Sequence, residues 1–145
     1  MAAENLRLRI VTPENVKYDA NVDMVIMRCT TGDMGILPNH EACMAILDYG
    51  VLRILNGADE RRMAVYGGIA QVRDNLVTVL ANGAQWPEDI DRQQAEADRR
   101  ESERHLQETL NDAQIHKEQV IMRRSLVQIE VSAYPLLSKT GAGGS

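Results

Sequence analysis

The residues best suited to chemistry are few: three histidines (His40, His105, His116), two cysteines (Cys29, Cys43) and a glycine-rich stretch, Gly32-Asp33-Met34-Gly35-Ile36-Leu37-Pro38-Asn39-His40. A glycine-rich stretch can cradle phosphate, but this one lacks the Gly-Lys-Ser/Thr ending and follows no βαβ pattern. Histidines serve as metal ligands when other ligands recur at fixed spacing. Here there is no His-Glu-x-x-His, and His105 and His116 stand on charged helical segments without such clusters, so they read as solvated helix residues and no metal is expected. No Gly-x-Ser-x-Gly or Ser/His/Asp set suggests a nucleophile, and no enzyme activity is predicted. Cys29 and Cys43 fit no zinc spacing and read as reduced, partly buried thiols. One feature of the stretch stays unexplained by a simple turn: Ile36 and Leu37, an apolar pair beside Pro38 on a predicted loop, suggest a contact patch.

Strand logic surrounds that loop. Leu6, Leu8 and Ile10 alternate with Arg7 and Arg9, as in a half-buried strand. Further short runs fall at Val16–Tyr18, Val22–Arg28, Val51–Leu55, Arg62–Tyr66, Ile69–Arg73 and Leu76–Leu80. Gly67-Gly68 reads as a bend, and Asp74-Asn75, Asn56-Gly57 and Asn82-Gly83 as turns. Many short strands at spacings of about 8–12 residues predict a sandwich rather than a parallel α/β sheet. With no Phe, one Trp and four Tyr, its core must be filled by Val, Ile, Leu and Met. Met24, Met27, Met34, Met44 and Met63 are accordingly read as core filling rather than as an adaptable groove.

The pattern changes at Trp86-Pro87. Pro suits a helix start, and Glu88, Asp89 and Asp91 favour the positive end of the helix dipole. A first helix is predicted from Ile90 to about Leu110, polar nearly all round. After a turn at Asn111-Asp112, a second runs from about Ala113 to Val131 with a stripe of Ile115, Met122, Leu126 and Ile129, and Val120, Val127 and Val131 on a neighbouring line. The expected organisation is a β-sandwich over 1–86, an antiparallel α-helical hairpin over 87–133 and a flexible tail over 134–145. At about 25 cal/mol per Å² of apolar area, so narrow a seam gives the first helix only a few kcal/mol of docking, as suits a movable arm.

A net charge of −5 with no clustered Lys or Arg argues against nucleic acid as a partner. Arg7 and Arg9 lie inside an alternating run rather than before an apolar stretch, so no signal peptide is expected. No stretch approaches the roughly 18 consecutive apolar residues of a membrane span. Membrane association is expected only through other proteins.

Three ordered stretches resemble the epsilon subunits of rotary (F-type) ATP synthases: Thr31 to Ala42, Tyr66 to Val72 with Asn75 to Ala81, and the helix opening at Ile90-Asp91. The resemblance implies about ten short strands in a sandwich plus two C-terminal helices. It implies a central-stalk rotor subunit, itself non-catalytic, at the cytoplasmic face of the bacterial cell membrane. Its partners would be the gamma subunit and the c ring, and the alpha/beta catalytic head when the hairpin extends to inhibit ATP hydrolysis. By resemblance Gly32, Asp33, Met34, Gly35, Ile36, Leu37, Pro38 and His40 form the c-ring and gamma contact loop, with Asn39 standing where the family usually has Gly. Some family members bind ATP through Ile/Leu-Asp-x-x-Arg-Ala. Ile90, Asp91 and Ala95 match this candidate nucleotide site, but Gln94 replaces the arginine whose planar fork suits phosphate. No cofactor is therefore expected, with regulatory ATP kept as the weaker alternative. A stand-alone sandwich adaptor with a helical arm is the alternative function.

Overall fold

Alternation builds the first unit. In β1 (Leu6–Val11) Leu6, Leu8 and Ile10 are fully buried while Arg7 and Arg9 face water, because successive side chains leave opposite faces of a strand. The computed structural model describes the backbone of residues 5–143 and side chains as far as Ala133. The chain divides into two compact units, Met1–Gln85 and Trp86–Ser145.

In the first unit β1 is followed by β2 (Val16–Val22), β3 (Met24–Cys29), β4 (Gly32–Ile36), β5 (Cys43–Asn56), β6 (Asp59–Arg73), β7 (Leu76–Ala81) and β8 (Ala84–Gln85). The hydrogen-bonded order is β2-β1-β7-β6-β5-β3-β4, with β8 on β6. All pairings are antiparallel except β1 with β7, so the sheet is mixed.

The register explains how one ribbon makes two layers. The second half of β5 pairs with the first half of β6 and continues outward to β3 and β4 on one side and β8 on the other. The first half of β5 pairs with the end of β6, which continues to β7, β1 and β2. The ribbon folds over between the Leu47–Gly68 and Tyr49–Tyr66 pairs. Gly67 (φ 78°) and Gly68 (φ 139°) take the bend there. A Cβ on Gly68 would meet the Leu80 carbonyl oxygen at 2.2 Å.

Among the described residues eight strands stand where about ten short ones were predicted. The glycine pair bends β6 without ending it, and β5 likewise runs unbroken, so each serves both layers. Between the layers lie Leu8, Ile10, Leu52, Ile54, Val77 and Val79, with Met27 and Met63 filling gaps that a Phe would otherwise occupy.

In the second unit a single 3-10 turn at Pro87–Asp89 precedes α1 (Arg92–His105) and α2 (Asp112–Gly143). The predicted start at Ile90 moves to Arg92 because Asp91 is the N-cap, its carboxylate accepting from the Gln94 N–H at 3.1 Å. Turn bonds from Gln107 to Arg104 and Glu108 to His105 close the helix before the predicted end at Leu110. A reciprocal cap opens α2: Asn111 Oδ1 accepts from the Gln114 N–H (2.8 Å), and Gln114 Oε1 accepts from the Asn111 N–H (3.0 Å).

The helices pack antiparallel. His105, ending α1, bonds Glu118 near the start of α2, while Asp98 shares a groove with Ser125 and Gln128 further along. Of the two predicted α2 lines, the neighbouring one with Val127 and Val131 is the more buried. Leu126 is exposed and Ile115, Met122 and Ile129 are half-buried, whereas Ser125, Val127 and Val131 are buried. On α1 only Ala95 and Ser102 are buried, and such small residues select no large partner. The α2 helix extends beyond the predicted Val131; the tail expected over 134–145 lies outside the residues with described side chains.

Candidate interaction surface

The stretch predicted as a contact loop divides into strand and connection. Gly32, Asp33, Met34, Gly35 and Ile36 form β4, an edge strand paired with β3. Asp33 is exposed and pairs with Arg28 (3.3 Å). The Met24 methyl lies over Gly35, where a Cβ would approach it to 2.7 Å. Ile36 is fully buried, which corrects the prediction of an exposed Ile36-Leu37 pair: strand alternation turns Ile36 inward and leaves Leu37 outside.

The connection proper is residues 37–42. The His40 N–H donates to the Leu37 carbonyl (3.2 Å), closing a tight turn with Pro38 and Asn39 at its centre. Asn39 has φ 69°, so Pro followed by a left-handed residue gives type II geometry. Glycine or Asn suits that position, which explains Asn where the resembling family has Gly. His40 is half-buried, with Nδ1 2.8 Å from the Glu41 carbonyl oxygen. A carbonyl only accepts, so the proton of a neutral ring lies on Nδ1 and Nε2 is left as an acceptor.

The largest unexpected feature lies on the outer face of the β5-β6-β7-β1 layer. Ile46 pairs with Ile69, Ile69 with Leu80 and Leu80 with Val11. These side chains form one row across four strands, with Ile46 64%, Ile69 44% and Leu80 55% exposed and Val11 half-buried. Met44, 69% exposed, extends the row along β5, so it does not fill the core as predicted. Met44 heads the next row, which turns polar beyond it with Gln71, Thr78 and Arg9. The sequence signal was present. Met44-Ala45-Ile46-Leu47, and Leu76 to Ala81 apart from Thr78, are apolar in both phases of alternation, which a one-sided core does not require.

The candidate nucleotide residues have structural roles. Asp91 caps α1, Ala95 is buried, and Ile90 is half-buried. Gln94 donates to Asp98 (2.8 Å). His116 is exposed, but His105 is not the solvated residue predicted: its Nδ1 lies 3.1 Å from Glu118 Oε1 and its Nε2 3.8 Å from Glu101 Oε1. Hydrogen bonding from His105 holds the Glu118 carboxyl below the usual range; burial opposes this and Ser102 adds to it. In the sandwich, burial pushes Glu60 up, but hydrogen bonds from Arg53 and Arg62 outweigh it and leave the carboxyl lowered. Burial raises the Cys29 thiol, with Asp33 and Cys43 adding to the shift; Cys29 and Cys43 are both free. Among the described residues no group of three or more His, Cys, Asp or Glu is arranged to hold a metal ion. No helix among them is long and apolar enough to cross a membrane.

A mixed-sheet sandwich, a two-helix hairpin and an apolar outer face define the class. Residues 5–87 match the family model for the ATP synthase Delta/Epsilon chain, beta-sandwich domain. The ATP synthase epsilon chain of Bacillus licheniformis is 35% identical over 129 residues, spanning 89% of this chain and 98% of that one. The epsilon chain of Bacillus subtilis is 38% identical over 112 residues, spanning 77% and 85%. In fold, the chain is similar to one in the Euglena gracilis mitochondrial ATP synthase OSCP/F1/c-ring structure, with a TM-score of 0.76 and 20% identity over 91% of this chain and 81% of that one. The chain belongs to the ATP synthase delta/epsilon family, as an epsilon chain.

Proposed function

We propose that this epsilon chain is a non-catalytic coupling piece of the rotor. Its apolar outer face docks on the gamma shaft together with the 37–42 connection, and the β4 edge carrying Asp33 reaches the polar loops of the c ring. It sits peripherally at the cytoplasmic face of the membrane, held there by the complex. The hairpin is a brake that obstructs hydrolysis when it extends toward the alpha/beta head, and ATP is not its regulatory ligand.

The observation that carries this reading is the Val11–Leu80–Ile69–Ile46 row with Met44 beside it. An apolar row this continuous on an otherwise alternating sheet calls for a protein partner. The ring of a rotary complex offers polar loops rather than an apolar cover, which favours the shaft for this face. A solved Tetrahymena thermophila mitochondrial ATP synthase structure described as "central stalk/cring" contains a chain of similar fold (TM-score 0.60, 17% identity).

Binding to the cognate gamma subunit tests the reading. Fully burying one such aliphatic side chain contributes about 1.5–3 kcal/mol. Ile46→Asp and Leu80→Asp should therefore each weaken binding by at least about tenfold while leaving the core intact. Unchanged affinity in both variants, or no binding by the unaltered chain, would refute shaft docking.

A further inference from the structure

We propose that Asn75, on the β6–β7 turn, is the positioning residue for the 37–42 connection, locking it in the one turn geometry that presents Leu37 and His40 to the docked shaft. The inference rests on the shaft-docking reading above and adds a residue to it.

The connection carries the chain from β4, in one layer, to β5, which begins in the other, and it has no ladder of its own. Its exposed backbone groups could be satisfied by water, so a protein partner held at one of them is a specific restraint. The Asn39 N–H finds one 36 residues away, donating to Asn75 Oδ1 at 2.6 Å. A longer contact returns from Asn75 Nδ2 to Asn39 Oδ1 at 3.4 Å.

This particular N–H matters because of where it sits. In the turn closed by Leu37 and His40, the peptide between Pro38 and Asn39 is the central unit. Type I and type II turns differ by a flip of that unit, which reverses the direction of its N–H and carbonyl. An acceptor fixed on one side selects one of the two. Asn75 thus holds the left-handed Asn39 and, through it, the direction in which the turn presents its flanks.

The post is itself well anchored. Asp74 (φ 51°) and Asn75 (φ 60°) are the two residues of a tight hairpin between paired Arg73 and Leu76, as a type I′ turn requires. The Asn75 carbonyl accepts from the Arg7 N–H of β1 at 2.8 Å. One residue therefore joins the connection to the layer that carries the apolar row. What is presented is an exposed Leu37 and a His40 ring whose Nδ1 is already engaged by the Glu41 carbonyl. A partner surface with an apolar recess beside an N–H or O–H donor matches that pair.

The backbone angles define the test. Asn75→Gly keeps the left-handed conformation but removes the amide. Asn75→Asp keeps an acceptor for the Asn39 N–H and tolerates the same angle. Asn39→Gly keeps both its own N–H and its positive φ. In the free full-length chain, amide exchange at position 39 should speed by at least about tenfold in Asn75→Gly and remain near the original rate in Asn75→Asp. Affinity for the gamma subunit should fall about fivefold in Asn75→Gly and return to within about twofold in Asn75→Asp and Asn39→Gly, as one lost hydrogen bond implies. Unchanged exchange in Asn75→Gly, faster exchange with unchanged affinity, or equal loss of affinity in Asn75→Gly and Asn75→Asp would each overturn the proposal. Failure of the unaltered chain to bind gamma would instead overturn shaft docking, and is seen before any variant is compared.

Discussion

Gly68 has both a backbone angle that side chains avoid and no room for one. At φ 139° a Cβ would press into the Leu80 carbonyl of the neighbouring strand. Gly68→Ala should cost roughly 2–4 kcal/mol in denaturant unfolding. Gly57, at φ 59° with open space around it, gives the control: Gly57→Ala should cost only about 1 kcal/mol. Equal losses would mean the close approach at Gly68 contributes nothing. The sequence made this site legible as a bend, since Gly67-Gly68 stands among aliphatics. It could not reveal that the strand continues through the bend, because a turn and a fold-over demand the same residue. Ile36 was hidden for a related reason. An Ile beside a Leu looks like a pair until alternation, visible only once β4 is a strand, sends them opposite ways.

Among the elements, the hairpin was the least legible. Periodicity identified two helices and both apolar lines on α2, but hydrophobicity ranked the less buried line first, because the face that packs depends on what the other helix offers. The α1 helix offers Ala95 and Ser102, and the polar clasp of His105, Ser102 and Glu118 occupies one end of the seam. The clasp has a definite pH signature. Since Glu118 lies below its ordinary value of 4.5 in the folded chain, its contribution is present above that value. It is lost as pH falls through the lowered folded value. The stability gap between the parent chain and Glu118→Gln, followed by helical circular dichroism in urea, should therefore shrink from about pH 5 toward pH 3. A gap constant over that range would remove the clasp as a source of stability. The cap at Asn111 was readable as a turn, though not as the reciprocal pair with Gln114. Asn111→Ala should lower hairpin stability by about 1 kcal/mol in the same assay, and no change would show the cap to be redundant.

For the whole molecule, the two compact units and the family match over residues 5–87 suggest a separable body and arm. Removing residues from Glu88 onward should leave gamma binding within about threefold of the full chain, because no residue of the proposed docking row is lost. It should raise hydrolysis by the assembled synthase if the arm is a brake; unchanged hydrolysis would refute that role. The sandwich class was legible because turn residues recur between short apolar runs, and its pairing was not. Local sequence marks where strands stop more clearly than which strand lies beside which, and β1 joins β7 across the whole of residues 12–75 in a parallel pair.

Because β5 and β6 run through both layers, the halves of the sandwich are joined by covalent chain as well as by apolar contact. Torsion applied at one layer is carried to the other along main-chain bonds and their ladder, so the body resists shear as a stiff hub. The two halves are therefore expected to melt together. Slow-exchanging amides of β3 and β7, on opposite sides of the fold-over, should open together at a single free energy.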